Sequence, residues 1–508
     1  MNQRQYLQLV GHLEVDSTIS PAAFRTKVML ISFSAYFALF GSLIGLAALI
    51  YFGFSLAQAN HNTYNMIRIG LFALVMSPVF FVVLRMFFMH LPPPTGRVIT
   101  REEAPRLFET IEKMRKKLGG PRIHQVLIDS EYNAAISQLP RFGLFGGYTN
   151  YLMLGLPYLL GVPKREMLAT VAHEYGHLCS DHGKLGAWVY RQRRTFGALY
   201  EQVRNASDEN WIHAGMAKAL DRFMPYYNAY TFVLSRQNEY EADRIASRLV
   251  GASSNACGLV RDALLGRWIH EVFWPKLYKQ ADSSMRPVFM PFNGMRTAFK
   301  ASHEQWATKE NLALAWREKS GLLDTHPALR DRVEATGEAP VLPVCIGVTA
   351  AEDLLGADLT KRLIEEFDQD WWKAERSNWE AHHRYVTRSK VRLEELAAFP
   401  LEHLPLVDLQ ELALLKSEFD SAPAAKQVLE FLLRQNGGPF PKAAFIYGRI
   451  LLEEGNVLGL DHLEASAGND RSLISDVAHI GYYYLLKNQS EAMAQVWWEK
   501  TMSLQDDE

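Results

Sequence analysis

Thr170-Val-Ala-His-Glu-Tyr-Gly-His-Leu-Cys-Ser-Asp-His182 is the stretch on which the reading of this chain turns. It contains His-Glu-x-x-His. His173 and His177 are four residues apart, so on a helix they stack on one face within reach of a single ion. Glu174 sits beside the first of them, where a carboxylate can take a proton from water held at the ion. Two histidines one turn apart also make an ordinary polar helix face, so the motif alone leaves both readings open. The flanks favour a helix. Pro163 suits a first turn, Glu166 complements the N-terminal dipole, Met167, Leu168, Val171 and Ala172 supply an apolar side, and Gly183 is a stop.

Two imidazoles leave an ion short of protein ligands. A third histidine ten residues after His173 would complete one known arrangement, but that position is Gly183, and His182 falls one residue early. A second candidate lies in Ser235-Arg-Gln-Asn-Glu-Tyr-Glu-Ala-Asp243. Glu239 and Asp243 are again four apart on one helix face. A carboxylate ligand plus an outer carboxylate that orients a ligating imidazole is a recurring division of labour at zinc. Glu241, roughly 200° around the helix from Glu239, points away. Alone, this stretch reads equally as a solvated acidic face.

Together, HEYGH and SRQNEYEAD resemble the M48 family of zinc metallopeptidases, which holds the CAAX-processing and HtpX-like membrane proteases. The resemblance implies that His173, His177 and Glu239 bind one zinc ion per chain. It makes Glu174 the general base that activates the zinc-bound water, with Asp243 behind the ligands. Two further segments fit the family. Asp129 to Ala135 is similar to a strand motif that pairs with the substrate backbone, which assigns Asn133, Ala134 and Ala135 to substrate binding. Thr325-His-Pro-Ala-Leu-Arg-Asp-Arg332 is similar to an element whose histidine faces the scissile carbonyl, so His326 becomes an oxyanion stabiliser supported by Arg332. The likeness covers roughly Arg97 to Glu334, with its four motifs in the family's order. It departs at Ala135 and at Ile136 to Pro140, where the family has a phenylalanine and a glycine-rich run. Roughly eighty residues between Asp243 and His326 carry no assigned role.

The N-terminus carries a second signal. Val28 to Leu56 is 29 residues without a charge, long enough to cross a bilayer with tilt. Ile69 to Leu84 adds a 16-residue uncharged run, extended past Arg85 if that side chain snorkels. Their pairing predicts a transmembrane hairpin over residues 28–90, and neither is a cleaved signal peptide. Arg25 and Lys27 precede the first run and Arg85, Arg97, Arg101 and Arg106 follow the second, whereas the loop Ala57 to Arg68 holds only Arg68. The positive-inside rule then places residues 1–27 and the catalytic part in the cytoplasm of a multi-pass protein in a bacterial-type cell membrane. Three cysteines, Cys179, Cys257 and Cys345, are odd in number and far apart, which suits a reducing compartment. Leu91 to Gly96 reads as a stiff spacer. Lys184 to Phe232, with Arg191, Arg193, Arg194, Glu201, Arg204, Asp208 and Glu209, cannot span lipid, which implies a site open to water and argues against prenyl-protein processing.

A chain of 508 residues is expected to form about two or three domains. Net charge of −2 gives no reason to expect nucleic acid. The soluble part divides into a peptidase domain over 91–340, a tryptophan-rich helical connector over 341–400 and a helical region over 401–508. Asp358 to Leu396, with Phe367, Trp371, Trp372, Trp379 and Tyr385, reads as one long helix or a helix pair with its aromatics turned inward. Ala444 to Leu452 and His479 to Leu486 align with their Leu-Leu pairs 34 residues apart, the tetratricopeptide period. Such arrays bind partners or pack on their own catalytic domain.

The fold class expected is thus mainly α: an α+β zincin-type catalytic domain with a small sheet, a transmembrane hairpin before it and a tetratricopeptide-like array after it. The function expected is a membrane-anchored zinc endopeptidase acting on protein or peptide substrates in quality control. It contacts the bilayer through residues 28–90 and protein partners through the tail. The alternative is a catalytically silent scaffold, against which stand His173, Glu174, His177 and Glu239, all present.

Overall fold

The expected sheet and helices arrange themselves around one crossing, that of the helix bearing His-Glu-x-x-His with the helix bearing Glu239. The computed structural model describes residues 3–59, 92–141, 147–179, 184–205, 211–318 and 326–504, with isolated positions at 67, 70 and 71. The chain separates into two units. One comprises Met1–Leu277 with Phe289–Ala374, and the other Tyr278–Val288 with Glu375–Glu508.

The first unit begins with α1 (Gln3–Ile19) and α2 (Pro21–Ala59), followed by β1 (Arg97–Ile99) and α3 (Pro105–Leu118). Then come β2 (Gln125–Asp129), β3 (Ala134–Pro140), β4 (Tyr148–Gly155) and the short α4 (Leu156–Gly161). The four strands form one sheet in the order β1-β2-β4-β3. β2 and β4 are parallel, while β1 and β3 run antiparallel to their neighbours. β3 therefore lies at an edge, in register with β4 from Ala134 opposite Leu154 to Pro140 opposite Tyr148. A proline at the end of an edge strand costs no ladder hydrogen bond.

α5 (Lys164–Cys179) carries the histidine pair, α6 (Lys184–Asn205) and α7 (Trp211–Val250) form a hairpin, and α8 (Ala252–Trp268) follows. The Pro163 carbonyl accepts from the N–H groups of Glu166 and Met167, so the proline stands just before the helix and not inside its first turn. Glu166 does more than favour the dipole. It is buried and held by Arg261 of α8, whose Nε lies 2.6 Å from Oε2. Gly183, expected to end the helix, lies outside the described residues. The remaining helices of this unit include α9 (Pro291–Ala301), α10 (Lys309–Arg317), α11 (Leu329–Ala335), α12 (Ala350–Leu354) and the first part of α13 (Ala357–Ala397). Leu107, Ile128, Leu154, Tyr175, Leu265 and Trp306 anchor its main core. α13 is one continuous helix of 41 residues, which decides between the two readings of the tryptophan-rich stretch.

Arg191, Arg193 and Arg194 all fall on α6, in the hairpin of α6 and α7. α1 and the start of α2 pack on it through Val10, Leu13, Phe24, Val28, Phe232 and Val233. Further along, α2 passes through the whole uncharged run from Val28 to Leu56 as a single helix. Several of its side chains, and nearly all of Ile69 to Leu84, lie outside the described residues. Among the described residues no helix is long and apolar enough to cross a membrane. The architecture observed is mainly helical with one small sheet.

In the second unit, α14 (Leu406–Phe419) packs on α15 (Ala422–Leu433), α16 (Pro441–Glu453) on α17 (Gly459–Asn469), and α18 (Ile474–Asn488) on α19 (Glu491–Ser503). Each pair also touches the next. Leu451-Leu452 and Leu485-Leu486, the pairs that set the 34-residue spacing, fall in the leading helices of the second and third pairs. Leu451 and Leu485 are buried, so the period reflects repeated core positions. Gly481 has no room for a side chain, because a Cβ there would land inside the indole of Trp497, whose Nε1 donates to the Val477 carbonyl at 3.2 Å. Trp379 is buried within this unit, donating to the Ser284 carbonyl at 2.9 Å, whereas Tyr385 is exposed and bonds Glu418.

Candidate metal centre and substrate cleft

Close approach of α5 and α7 is permitted by the glycine between the two histidines. A Cβ on Gly176 would stand 3.2 Å from the Ala242 Cα and 3.2 Å from Ile245 Cδ1, tighter than packed atoms normally sit. With no side chain at that point, the helices bring His173 and His177 against Glu239. His173 Nε2 is 3.3 Å from Glu239 Oε2, and His177 Nε2 is 3.4 Å from Oε1. The two rings stand edge to face with centroids 5.0 Å apart.

Those separations fit an ion. Zinc bonds of about 2.0–2.1 Å in a tetrahedral set hold neighbouring donor atoms roughly 3.4 Å apart. A second observation agrees. His173 Nε2 is buried and has no hydrogen-bond partner, while Nδ1 lies 2.8 Å from Asp243 Oδ1. If Nδ1 carries the proton given to Asp243, the other nitrogen turns a lone pair toward a carboxylate, an arrangement that a cation between them, or a second proton on the ring, relieves. Among the described residues, His173 groups with Glu239 and His326, and also with Glu174 and His177, as sets able to hold a metal. Glu241 is turned to Arg244 at 3.3 Å, as its place on the helix requires. Cys179 belongs to neither set; it is half-buried, and burial pushes its thiol up to about 12.

Charge at the centre is arranged in layers. Burial alone would raise Asp243, but Arg332 and His173 outweigh it and hold the carboxyl at about 2. Burial would lower His173, yet its bonds to Asp243 and Glu239 bring it up to about 9. His177 is pushed down to about 4 by burial and by the charge on His173, against the pull of Glu239. Burial also lifts the Glu174 carboxyl above its ordinary range, against the pull of the His173 charge.

Arg332 was expected as an outer residue beside Asp243 that also supports His326. Its guanidinium grips Asp243, with Nε 2.9 Å from Oδ2 and Nη2 2.8 Å from Oδ1. The reason is burial: Asp243 is 2 % exposed, and a carboxylate at that depth needs a cation. His326 places Nδ1 2.6 Å from Glu239 Oε2 and keeps a half-exposed ring at the mouth of the cleft. Thr325, at the head of the same motif, lies outside the described residues.

Of the three strand residues, Ala134 and Ala135 begin β3, and Asn133 immediately precedes it. The Asn133 carbonyl accepts from Gly155 at 2.8 Å, which ties the strand's entry to the end of β4. β3 runs beside α5, and the Ile136 N–H on its open edge donates to Glu174. The sequence motifs did not reveal the far wall of the cleft. It is α8, inside the stretch that carried no assigned role. Asn255, Gly258, Leu259 and Asp262 line the cavity from there, at the i, i+3, i+4, i+7 spacing of one helix face. That spacing was the available signal.

A protein-family model, peptidase family M48, matches residues 109–339. Over those residues the chain is similar to peptidase family M48, which supports a metallopeptidase. No curated protein matches the chain. The M48 segment runs from α3 past α11 and so takes in every residue of the metal centre and both walls of the cleft.

The Asp243 clamp makes a prediction. Asp243→Asn keeps the shape but removes the charge that fixes the His173 ring, and loss of such an outer partner typically costs about 10–100-fold in metal affinity. Chelator competition with Zn2+ is expected to show that drop. Wild-type affinity in the folded variant would mean that the clamp does not orient the ligand.

Proposed function

We propose that the chain is a membrane-anchored zinc endopeptidase in which His173, His177 and Glu239 hold one zinc ion and Glu174 is the general base. The observation that carries this reading is the convergence of two imidazole nitrogens, at 3.3 and 3.4 Å, on the two oxygens of one carboxylate. The family supports peptide-bond hydrolysis in general; the assignment of individual residues is ours. Domain boundaries follow the same reading: a hairpin over 28–90, the peptidase over 91–340, a connector over 341–400 and a partner-binding helical tail over 401–508.

Bound zinc supplies a Lewis acid that polarises water and the scissile carbonyl. The chain's own residues do the rest. Substrate backbone adds to the open edge of β3 at Asn133, Ala134 and Ala135, which requires an extended segment and so favours unfolded or locally melted proteins. Glu174, poised by burial and by the Ile136 N–H, takes the proton from the attacking water and returns it to the leaving amine. His326 keeps its ring at the mouth of the cleft, where its second nitrogen can donate to the developing oxyanion.

Membrane attachment rests on α2, a single helix with no charged residue from Val28 to Leu56 and with exposed Leu30, Phe37, Ile44 and Tyr51. Apolar side chains so placed are unfavourable in water and suited to lipid. The positive flanks then keep the peptidase in the cytoplasm, and processing of membrane or misfolded proteins follows from the anchor and from the requirement for extended backbone.

Glu174→Gln is expected to lower hydrolysis of an unfolded protein substrate by about 10²–10⁴-fold while bound zinc stays near one per chain; unchanged turnover would show that Glu174 is not the base. For topology, a reporter fused after Glu508 should read as cytoplasmic and one inserted at Asn60 should not. The opposite pattern would overturn the orientation.

A further inference from the structure

The cleft is a cavity of about 310 Å³ that takes in His173, Glu174 and His326 and reaches across to α8. Ala169 and Thr170, one turn before His173, form one side, and Leu259, Asp262 and Ala263 of α8 form the other. Among the described residues, Asp262 has no ion-pair partner. Its one described hydrogen bond comes from the Tyr132 hydroxyl at 3.3 Å. Both nearby arginines are committed elsewhere: Arg261 to Glu166 and the Val344 carbonyl, and Arg332 to Asp243. Burial, reinforced by the charge of Glu166, pushes the Asp262 carboxyl up to about 7, the behaviour of an acid lacking a cation.

We propose that this cavity is a side-chain pocket for lysine or arginine, with Asp262 as its specificity-determining residue, so that the peptidase cuts next to a basic residue. The proposal rests on the endopeptidase reading above. Ala169, Leu259 and Ala263 provide apolar wall for a methylene stem, and the carboxylate at its end receives the charged head. Arg332 also lines the cavity and would favour an acidic side chain, but its charge is already neutralised by two contacts with Asp243. The group in the pocket without a counter-ion is an acid, and a basic head brought against it favours its ionised form, which decides the sign of the preference.

The test uses full-length protein and peptides identical except for Lys, Arg, norleucine or Glu at one position flanking the scissile bond. Binding is read by fluorescence anisotropy on the inert Glu174→Gln protein, and kcat/KM on the wild type. Lys and Arg are expected to bind roughly tenfold or more tighter than norleucine, as a charge-assisted hydrogen bond provides. Asp262→Asn should bring that ratio close to one, and Asp262→Lys should shift it toward Glu. The wild-type comparison stands even if a variant fails to fold. Equal or weaker binding of Lys and Arg relative to norleucine overturns the proposal. Cleavage without basic preference would leave the endopeptidase reading intact and remove Asp262. Basic preference in binding with no cleavage of any peptide would do the reverse.

Discussion

A carboxylate as deeply buried as that of Asp243 survives only by being fully paired, and its partners come from two distant parts of the chain. One oxygen meets His173 Nδ1 at 2.8 Å and Arg332 Nη2 at 2.8 Å, and the other meets Arg332 Nε at 2.9 Å. Three helices, α5, α7 and α11, are thereby locked at one point. Removing one partner of such a buried pair typically costs about 3–5 kcal/mol, because the remaining charge is stranded. The same bond fixes the His173 ring so that its other nitrogen faces Glu239. Stability of the helix junction and geometry of the donor set are one constraint.

How much of this the sequence revealed depends on whether a residue's role is local. His173 with His177, and Glu239 with Asp243, are four-residue spacings, so the spacing alone places each pair on one helix face. A helical C-terminal part was likewise legible, from the 34-residue spacing of its Leu-Leu pairs. Arg332 was expected behind the ligands with Asp243 and in support of His326; the structure shows its contacts with Asp243, which burial of that carboxylate requires. α8, by contrast, was silent. Arg261 and Asp262 look like an adjacent surface pair, yet one turns inward to Glu166 and the other toward the cleft. Only the packing of α8 on α5 separates them.

The cleft that results has two walls of unlike origin. One is the motif-bearing helix with the edge strand beside it, to which the proposed function assigns chemistry and backbone recognition. The other is a helix from the stretch between Asp243 and His326, free of motif residues and therefore free to set side-chain preference. An open strand edge accepts any extended backbone, so on the proposed reading discrimination among substrates falls to the pocket that α8 lines.

The central claim is the donor set, and X-ray absorption at the zinc edge of the loaded full-length protein reads it directly. The account predicts a shell of nitrogen and oxygen only, at about 2.0–2.1 Å, with the multiple-scattering signature of two imidazoles. A third imidazole, which would bring His326 into the set, or a sulfur at about 2.3 Å, would contradict it.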